Sequence, residues 1–145
     1  MKVAISINTS WNILNFRSGI VKELIKQGHE VITISPEDGS TDDLKSLGCR
    51  SYHIELENSG MNAMNDYKYY REFLKALKIV QPDVVLCYTI KPNIYGSIAC
   101  GRMKIPVINN VSGLGTAFLW NKVLKSLVKS LYKFAFRNSS HVFFQ

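Results

Sequence analysis

Four short runs rich in β-branched residues recur along the chain: KVAISIN (2–8), EVITIS (30–35), DVVLCY (83–88) and IPVINN (105–110). Between them apolar residues return at helical spacing, as Ile13, Phe16, Ile20, Leu24 and Ile25 do within 12–27. Strands that alternate with helices pair in parallel, because each crossover helix covers a sheet face and returns the chain to the same end. The fold class predicted is therefore α/β: a Rossmann-like three-layer α/β/α sandwich around a mainly parallel sheet. The nearly unbroken apolar run DVVLCY fits a central strand covered on both faces.

Punctuation fills in the rest. Gly28 stops the first helix, and Thr41 or Asp42 caps a short one that carries Leu44 and Leu47 and ends at Gly48. Arg50 to Leu56 alternates as a third strand, followed by a polar stretch from Glu57 to Asn65. Further helices are expected from Asp66 to Val80, from an Asn93 cap to about Met103, and from about Ala117 to Arg137, before a final strand at His141–Gln145. The length of 145 residues suits one domain, 1–145. Because the last element is a strand without a covering helix, the chain is expected to be cut from something longer, or else to be an unusual but complete small domain. No apolar run approaches a membrane span and no signal peptide is apparent, so a cytoplasmic location is expected. Cys49, Cys87 and Cys100 are scattered, which favours buried thiols over a disulfide framework or a zinc site.

Charge divides the chain sharply. Residues 1–83 hold ten basic and eleven acidic side chains, whereas residues 84–145 hold eight basic ones and no carboxylate; the balances of −1 and +8 make the net +7. Such a stretch points to an anionic partner: phosphate, nucleic acid or a membrane surface. Lys122, Lys125, Lys129, Lys133 and Arg137 form one stripe of the last helix, with Leu124, Leu127, Leu131 and Ala135 opposite and Trp120, Val123, Val128 and Phe134 flanking them. The stripe reads either as an ordinary solvated face or as a contact for anionic lipid.

In a doubly wound sheet, ligands lie beyond the carboxyl ends of the strands. The first such loop, Asn8 to Asn12, has no glycine, which argues against a dinucleotide; no phosphate-binding G-x-x-x-x-G-K-[ST] occurs elsewhere. Trp11 there suits stacking on a sugar or an aliphatic chain, or else packs on a neighbouring helix; Asn12 and Arg17 accompany it. Thr89 and Lys91 follow the fourth strand. Lys91 beside an Asn93 cap makes a corner for phosphate, or is a solvated lysine near a proline turn. After the fifth strand, Asn110 leads into Gly113-Leu114-Gly115, whose backbone can approach a ligand closely. His29, His53 and His141 fall at expected strand starts, the wrong ends for chemistry. No catalytic residue and no metal site is assigned.

The strings SWNILNFRSG (10–19), YTIKPNIYG (88–96) and NNVSGLGTAF (109–118) resemble the amino-terminal domain of family 4 glycosyltransferases, most closely those that extend lipid-linked surface oligosaccharides. The resemblance runs over the whole chain. It implies one half of a GT-B fold: an acceptor-binding domain whose donor-binding partner domain, with an E-x7-E pair, is absent here. It further implies a retaining, metal-independent hexosyl transfer from a nucleotide-sugar donor to a lipid-linked saccharide, with no cofactor beyond the donor, at the inner face of the cytoplasmic membrane. Trp11, Asn12, Arg17, Thr89, Lys91, Asn110, Gly113, Leu114 and Gly115 become acceptor- or phosphate-binding candidates, and the lysine stripe a membrane-surface candidate. On that reading Lys91→Ala lowers turnover and leaves the fold intact. The chain departs from the pattern at Tyr88 and near Ser112, where many relatives have histidine, and at Thr9-Ser10-Trp11, where many have glycines, so no catalytic base is assigned; with the donor domain missing and no plausible acid or base at the strand ends, the fragment alone is expected to be inactive. Two alternatives stand beside this one. Half of a GT-B nucleotide-sugar 2-epimerase would be expected to supply acidic and histidine side chains at the cleft, and the carboxylate-free second half speaks against it. A non-enzymatic membrane- or nucleic-acid-binding module would need aromatics interleaved with lysines on an exposed face; nucleic acid is not expected as a partner.

Overall fold

The computed structural model describes residues 1–57, 62–112 and 122–145. The elements are β1 (Lys2–Ser6), α1 (Ser10–Lys26), β2 (Glu30–Ser35), α2 (Thr41–Ser46), β3 (Arg50–His53), α3 (Ala63–Val80), β4 (Val84–Tyr88), α4 (Ser97–Met103), β5 (Val107–Val111), α5 (Lys122–Ala135) and β6 (Ser139–Phe144). A π-helical turn, Pro92–Gly96, leads into α4. The described strands form one sheet in the order β3-β2-β1-β4-β5-β6, and every neighbouring pair is parallel. The expected doubly wound α/β sandwich is what forms.

Strand alternation sorts side chains between two cores. Ala4, Ile34, Val85, Cys87 and Val107 face α3 and α4, packing on Phe73, Leu77 and Ala99. Ile5, Ile7 and Val31 face the other way onto Ile13 and Val21 of α1 and Leu44 of α2. Beneath α5, Val128, Tyr132 and Ala135 close over Ile94 and Val111. Burying apolar side chains of this size is worth roughly 1.5–3 kcal/mol each, which is why the alternation fixes the register. Cys49, Cys87 and Cys100 are buried free thiols, as expected.

The glycine stops behave as expected: Gly28 and Gly48 sit at φ of 80° and 98°, open to them but strained for other residues. Several boundaries differ, among them the end of the last helix, at Ala135 and not Arg137, and the start of the last strand, at Ser139 and not His141. The third strand ends at His53 rather than Leu56, which puts His53 at a carboxyl end, not at a strand start; its Nδ1 accepts from the Glu37 amide at 3.0 Å. Asn62, not Asp66, caps α3, accepting from the amides of Met64 (3.0 Å) and Asn65 (3.3 Å). Asn93 is not a cap: the helix has already begun at residue 90, and Asn93 lies inside the π-helical turn, 1% exposed.

Candidate functional site

Successive crossovers diverge between β1 and β4, since β1 runs on to β2 on one side while β4 runs on to β5 on the other. The crevice outside the carboxyl ends of such a pair is where open parallel sheets bind ligands. It is bounded here by the connection from β1 into α1 and by the connection from β4 into α4.

Thr9 caps α1 in extended conformation, its Oγ1 accepting from the Asn12 amide at 3.1 Å. Ser10 Oγ donates to the Pro36 carbonyl (3.0 Å), meets Ser35 Oγ (3.0 Å) and accepts from Thr41 Oγ1 (3.2 Å). The Trp11 amide donates to Asp38 Oδ2 at 3.0 Å. The loops after β1 and β2 are thereby locked together. The Trp11 indole is left 53% exposed and meets the Phe16 ring of its own helix edge-to-face at 5.6 Å.

Arg17 reaches over the end of β4, with its guanidinium carbon 4.7 Å from the centroid of Tyr88. Tyr88 is buried, which raises its hydroxyl above the ordinary value, while the Arg17 charge works in the opposite direction. Arg17 forms no ion pair with a carboxylate among the described residues. It is a cation held in place by a ring and free to meet an anion.

Lys91 is differently placed. Its Nζ stands 2.9 Å from Asp66 Oδ1, and the two side chains are only 13% and 6% exposed. Tyr95 donates its hydroxyl to Asp66 Oδ2 at 2.9 Å, and burial together with the adjacent carboxylate raises that phenol. The ammonium is thus part of a buried neutral pair. Removing it strands a carboxylate in the protein, so the fold-neutral Lys91→Ala expected from the sequence loses its physical basis. Just before it, Thr89 adopts φ of +62°, a strained conformation for a β-branched residue, with its Oγ1 donating back to the Tyr88 carbonyl at 2.6 Å. Strain and a π-helical turn in one short connection are marks that cluster at functional sites.

Below this edge, Asn109 Nδ2 donates to Asn93 Oδ1 (2.9 Å) and Ser97 Oγ (2.8 Å), and Ser139 Oγ donates to Asn109 Oδ1 (2.6 Å). Asn93 Nδ2 donates to the Asn110 carbonyl at 2.9 Å. This network ties β5 and β6 to the turn after β4. It leaves two buried amide oxygens, Asn8 Oδ1 and Asn110 Oδ1, without a hydrogen-bond partner at the carboxyl edge. Gly113, Leu114 and Gly115 lie outside the described residues, as does the side chain of Lys122. On α5, Lys125, Lys129 and Lys133 are exposed, opposite buried Val128, Tyr132 and Ala135, while Arg137, expected on the same helix, is exposed in the 3-10 turn Phe136–Asn138 that follows it. The buried arc is centred on Val128 and Tyr132, so Leu127 and Phe134 stand about half exposed instead of facing the sheet.

Asp66, Asn8 and Tyr88 are the site residues that sequence reasoning missed. Asp66 is 25 residues from its partner Lys91 and carries no local mark. Asn8 and Tyr88 sit where their strands run out, a position that by itself signalled both.

A parallel doubly wound domain with a polar, partly strained crevice at the switch point is the architecture of one half of a GT-B enzyme. The chain belongs to the glycosyl transferase 4-like family, which matches residues 2–145. A curated relative is the N,N'-diacetylbacillosaminyl-diphospho-undecaprenol alpha-1,3-N-acetylgalactosaminyltransferase of Campylobacter jejuni. It is 28% identical over 142 residues, covering 94% of this chain and 38% of the relative. Among solved structures, a UDP-GlcNAc 2-epimerase from Methanocaldococcus jannaschii superposes with a TM-score of 0.68 at 22% identity, over 99% of this chain and 39% of its own. MurG of Acinetobacter baumannii superposes with a TM-score of 0.62 at 15% identity, over 92% of this chain and 39% of its own. These structural likenesses speak to the fold. The chain spans about two fifths of the length of the relatives it matches.

Proposed function

We propose that this chain is the acceptor-side domain of a retaining glycosyltransferase that moves a sugar from a nucleotide-sugar donor to a lipid-linked saccharide at the inner face of the cytoplasmic membrane. The observation that carries the proposal is the match to the Campylobacter transferase, whose name specifies a diphospho-undecaprenol-linked sugar, along nearly the whole chain. The switch-point crevice supports it. Trp11 offers an exposed aromatic face to an acceptor, and Asn12, Thr89 and Asn110 are the further acceptor candidates at this edge. Arg17, without a carboxylate partner, takes the phosphate role more naturally than Lys91, whose charge Asp66 already neutralises. A diphosphate brought near Arg17 gains a charge-assisted contact worth about 1.5–3 kcal/mol.

The epimerase alternative draws only on shared fold, and no histidine or free carboxylate stands at the crevice between β1 and β4 among the described residues. For membrane contact, the exposed Lys129, Lys133 and Arg137 adjoin the half-exposed Leu127 and Phe134. No helix among the described residues is long and apolar enough to cross a bilayer, so contact would be peripheral.

The test is sugar transfer by the polypeptide that joins this chain to a donor-binding half, with a lipid-diphosphate saccharide as acceptor. Transfer is expected there and not from residues 1–145 alone. Arg17→Ala is expected to lower kcat/KM about tenfold or more. Epimerisation of the donor without transfer would overturn the proposal. For the membrane, sedimentation with anionic vesicles but not neutral ones, lost on charge reversal of Lys129 and Lys133, is expected; equal binding to both vesicle types refutes it.

A further inference from the structure

The first helix of a doubly wound sheet is a ready seat for a ligand phosphate, because its free amides and its dipole face the crevice. In this chain an internal anion already holds that seat. α1 has no acidic residue in its first turn. Asp38, 27 positions further on in the loop after β2, supplies one: its Oδ2 accepts from the Trp11 amide at 3.0 Å. Its Oδ1 accepts from the Ser40 amide at 2.9 Å, and its own amide donates to Thr41 Oγ1 at 3.1 Å. The half-buried carboxylate is therefore fixed through both oxygens. Thr9 Oγ1 takes the Asn12 amide beside it. Charge acts in the same direction. Glu37, Asp38, Asp42 and Asp43 follow one another with no basic residue before Lys45, which pairs with Asp42 at 3.0 Å. Toward β4 the sign reverses, with the Arg17 guanidinium over the Tyr88 ring.

From this we infer that Asp38 is a specificity-determining residue: its carboxylate occupies the amino terminus of α1 in place of a ligand phosphate and bars phosphate from the Trp11 end of the crevice. A phosphate entering there would have to displace a carboxylate that already accepts from two amides, or stand against it as a like charge. Either is unfavourable while Asp38 is present. Without it, the Trp11 and Ser40 amides converge on one place with nothing to accept from them, which is the arrangement that binds anions. A consequence for orientation rests on the acceptor reading above. A lipid-diphosphate saccharide would lie with its diphosphate toward Arg17 and an uncharged part toward Trp11, since the crevice is acidic at the β2 side and cationic at the β4 side.

The test is an amide chemical-shift titration of residues 1–145 with inorganic pyrophosphate. In the parent, the Trp11 and Ser40 amides are expected to show no saturable shift. In Asp38→Ala both should shift saturably, with pyrophosphate bound there about tenfold or more tighter than in the parent. Asp38→Asn keeps an acceptor oxygen for the Trp11 amide and removes only the charge, so its gain should be smaller, about threefold. Saturable parental shifts centred on Trp11 and Ser40, or no gain in either variant, overturn the inference. Should Asp38→Ala not fold, Asp38→Asn decides alone: a gain supports the inference and none overturns it. In the polypeptide that joins this chain to a donor-binding half, pyrophosphate should inhibit Asp38→Ala about tenfold more tightly than the parent. A pyrophosphate gain without any transfer by the parent removes the acceptor reading and spares the role of Asp38. Normal transfer without the gain removes that role and spares the reading.

Discussion

The Asp66–Lys91 pair allows a sharp prediction about stability. Lys91→Met keeps much of the aliphatic stem but removes the ammonium, leaving an ionised carboxylate in a site where Asp66 is 6% exposed and only the Tyr95 hydroxyl remains to meet it. Breaking a buried pair from one side costs about 3–5 kcal/mol, far above the ~0–1 kcal/mol of a solvated pair. The neighbouring pairs Lys45–Asp42 and Lys68–Glu55 belong to the second class, since both partners are more than half exposed. With a urea m-value of about 2 kcal/mol per molar, Lys91→Met should lower the unfolding midpoint by about 1.5–2.5 M. The companion Asp66→Asn/Lys91→Met leaves no stranded charge and should recover most of that loss. Urea unfolding followed by far-UV circular dichroism reads both. A Lys91→Met midpoint within about 0.3 M of the parent, or a double variant no better than the single, refutes the claim that burial makes this pair interdependent. The same arithmetic governs activity measurements: a rate lost in Lys91→Ala reports on folding unless the double variant is measured beside it.

Three further outcomes are expected. Thr89→Gly relieves the positive φ of 62° and should raise stability by about 0.5–1 kcal/mol after the added chain entropy, read as a higher urea midpoint; a clear loss would mean that the Thr89 hydroxyl bond outweighs the strain. Gly96→Ala should cost about 1–3 kcal/mol, because the new Cβ would stand 3.0 Å from Cys87 Sγ and 3.2 Å from the Phe73 ring in a packed core; an unchanged Tm contradicts it. Burial pushes the Cys49 thiol up to about 11 and Cys100 to about 12 from an ordinary 9.0. The neutral thiols therefore favour the fold fully below about pH 9, and that contribution is lost as pH rises through about 11. Urea midpoints should fall over that interval, less so in Cys49→Ala, and the native thiols should react with aromatic disulfides far more slowly than the unfolded ones.

The strand framework was legible because its determinants are local. β2 occupies Glu30–Ser35 as expected, since Gly28 ends the preceding helix with a positive φ and Pro36 stops the ladder. Where an element is set by remote partners, the local pattern misled. The alternation of Arg50–Leu56 continues past His53, yet the strand stops there because its partner β2 ends at Ser35 before Pro36, the Ile54 amide making the last bond to the Ser35 carbonyl at 3.2 Å. Asn93 has the composition of a cap and was read as one. Its amide instead serves Asn109 and Asn110, residues one strand away in space and 16 and 17 apart in sequence. Asp66 looked like a helix opener for the same reason, until Asn62 took the cap and left its carboxylate to face Lys91 and Tyr95.

The uneven charge along the chain also has a spatial counterpart that its linear position conceals. The last carboxylate in sequence is Asp83, yet the boundary in space falls earlier, because the crossover from β3 to β4 carries α3 to the face that α4 and α5 share. On α3 the exposed Arg71, Lys75 and Lys78 join Arg102 of α4 and Lys129, Lys133 and Arg137 beside or on α5, while Lys68 is paired with Glu55 at 2.9 Å. Of the two acids on these helices, Asp66 is paired with Lys91 and Glu72 is half-buried, so the face keeps a net positive charge. The opposite face, α1 and α2, mixes its signs: Lys26 stands 4.0 Å from Glu23 and Lys45 3.0 Å from Asp42. Each cation near an anionic bilayer is worth about 1 kcal/mol and is screened within a Debye length, so only a coplanar set acts together. A stripe on α5 alone supplies a few such charges. The whole α3–α4–α5 face supplies more, and it would lay the carboxyl edge of the sheet alongside the lipid surface instead of pointing it away. Charge reversal at Lys75 and Lys78, remote from α5, should therefore weaken anionic-vesicle binding comparably to reversal at Lys129 and Lys133, whereas reversal at Lys22 and Lys26 on the other face should leave it unchanged.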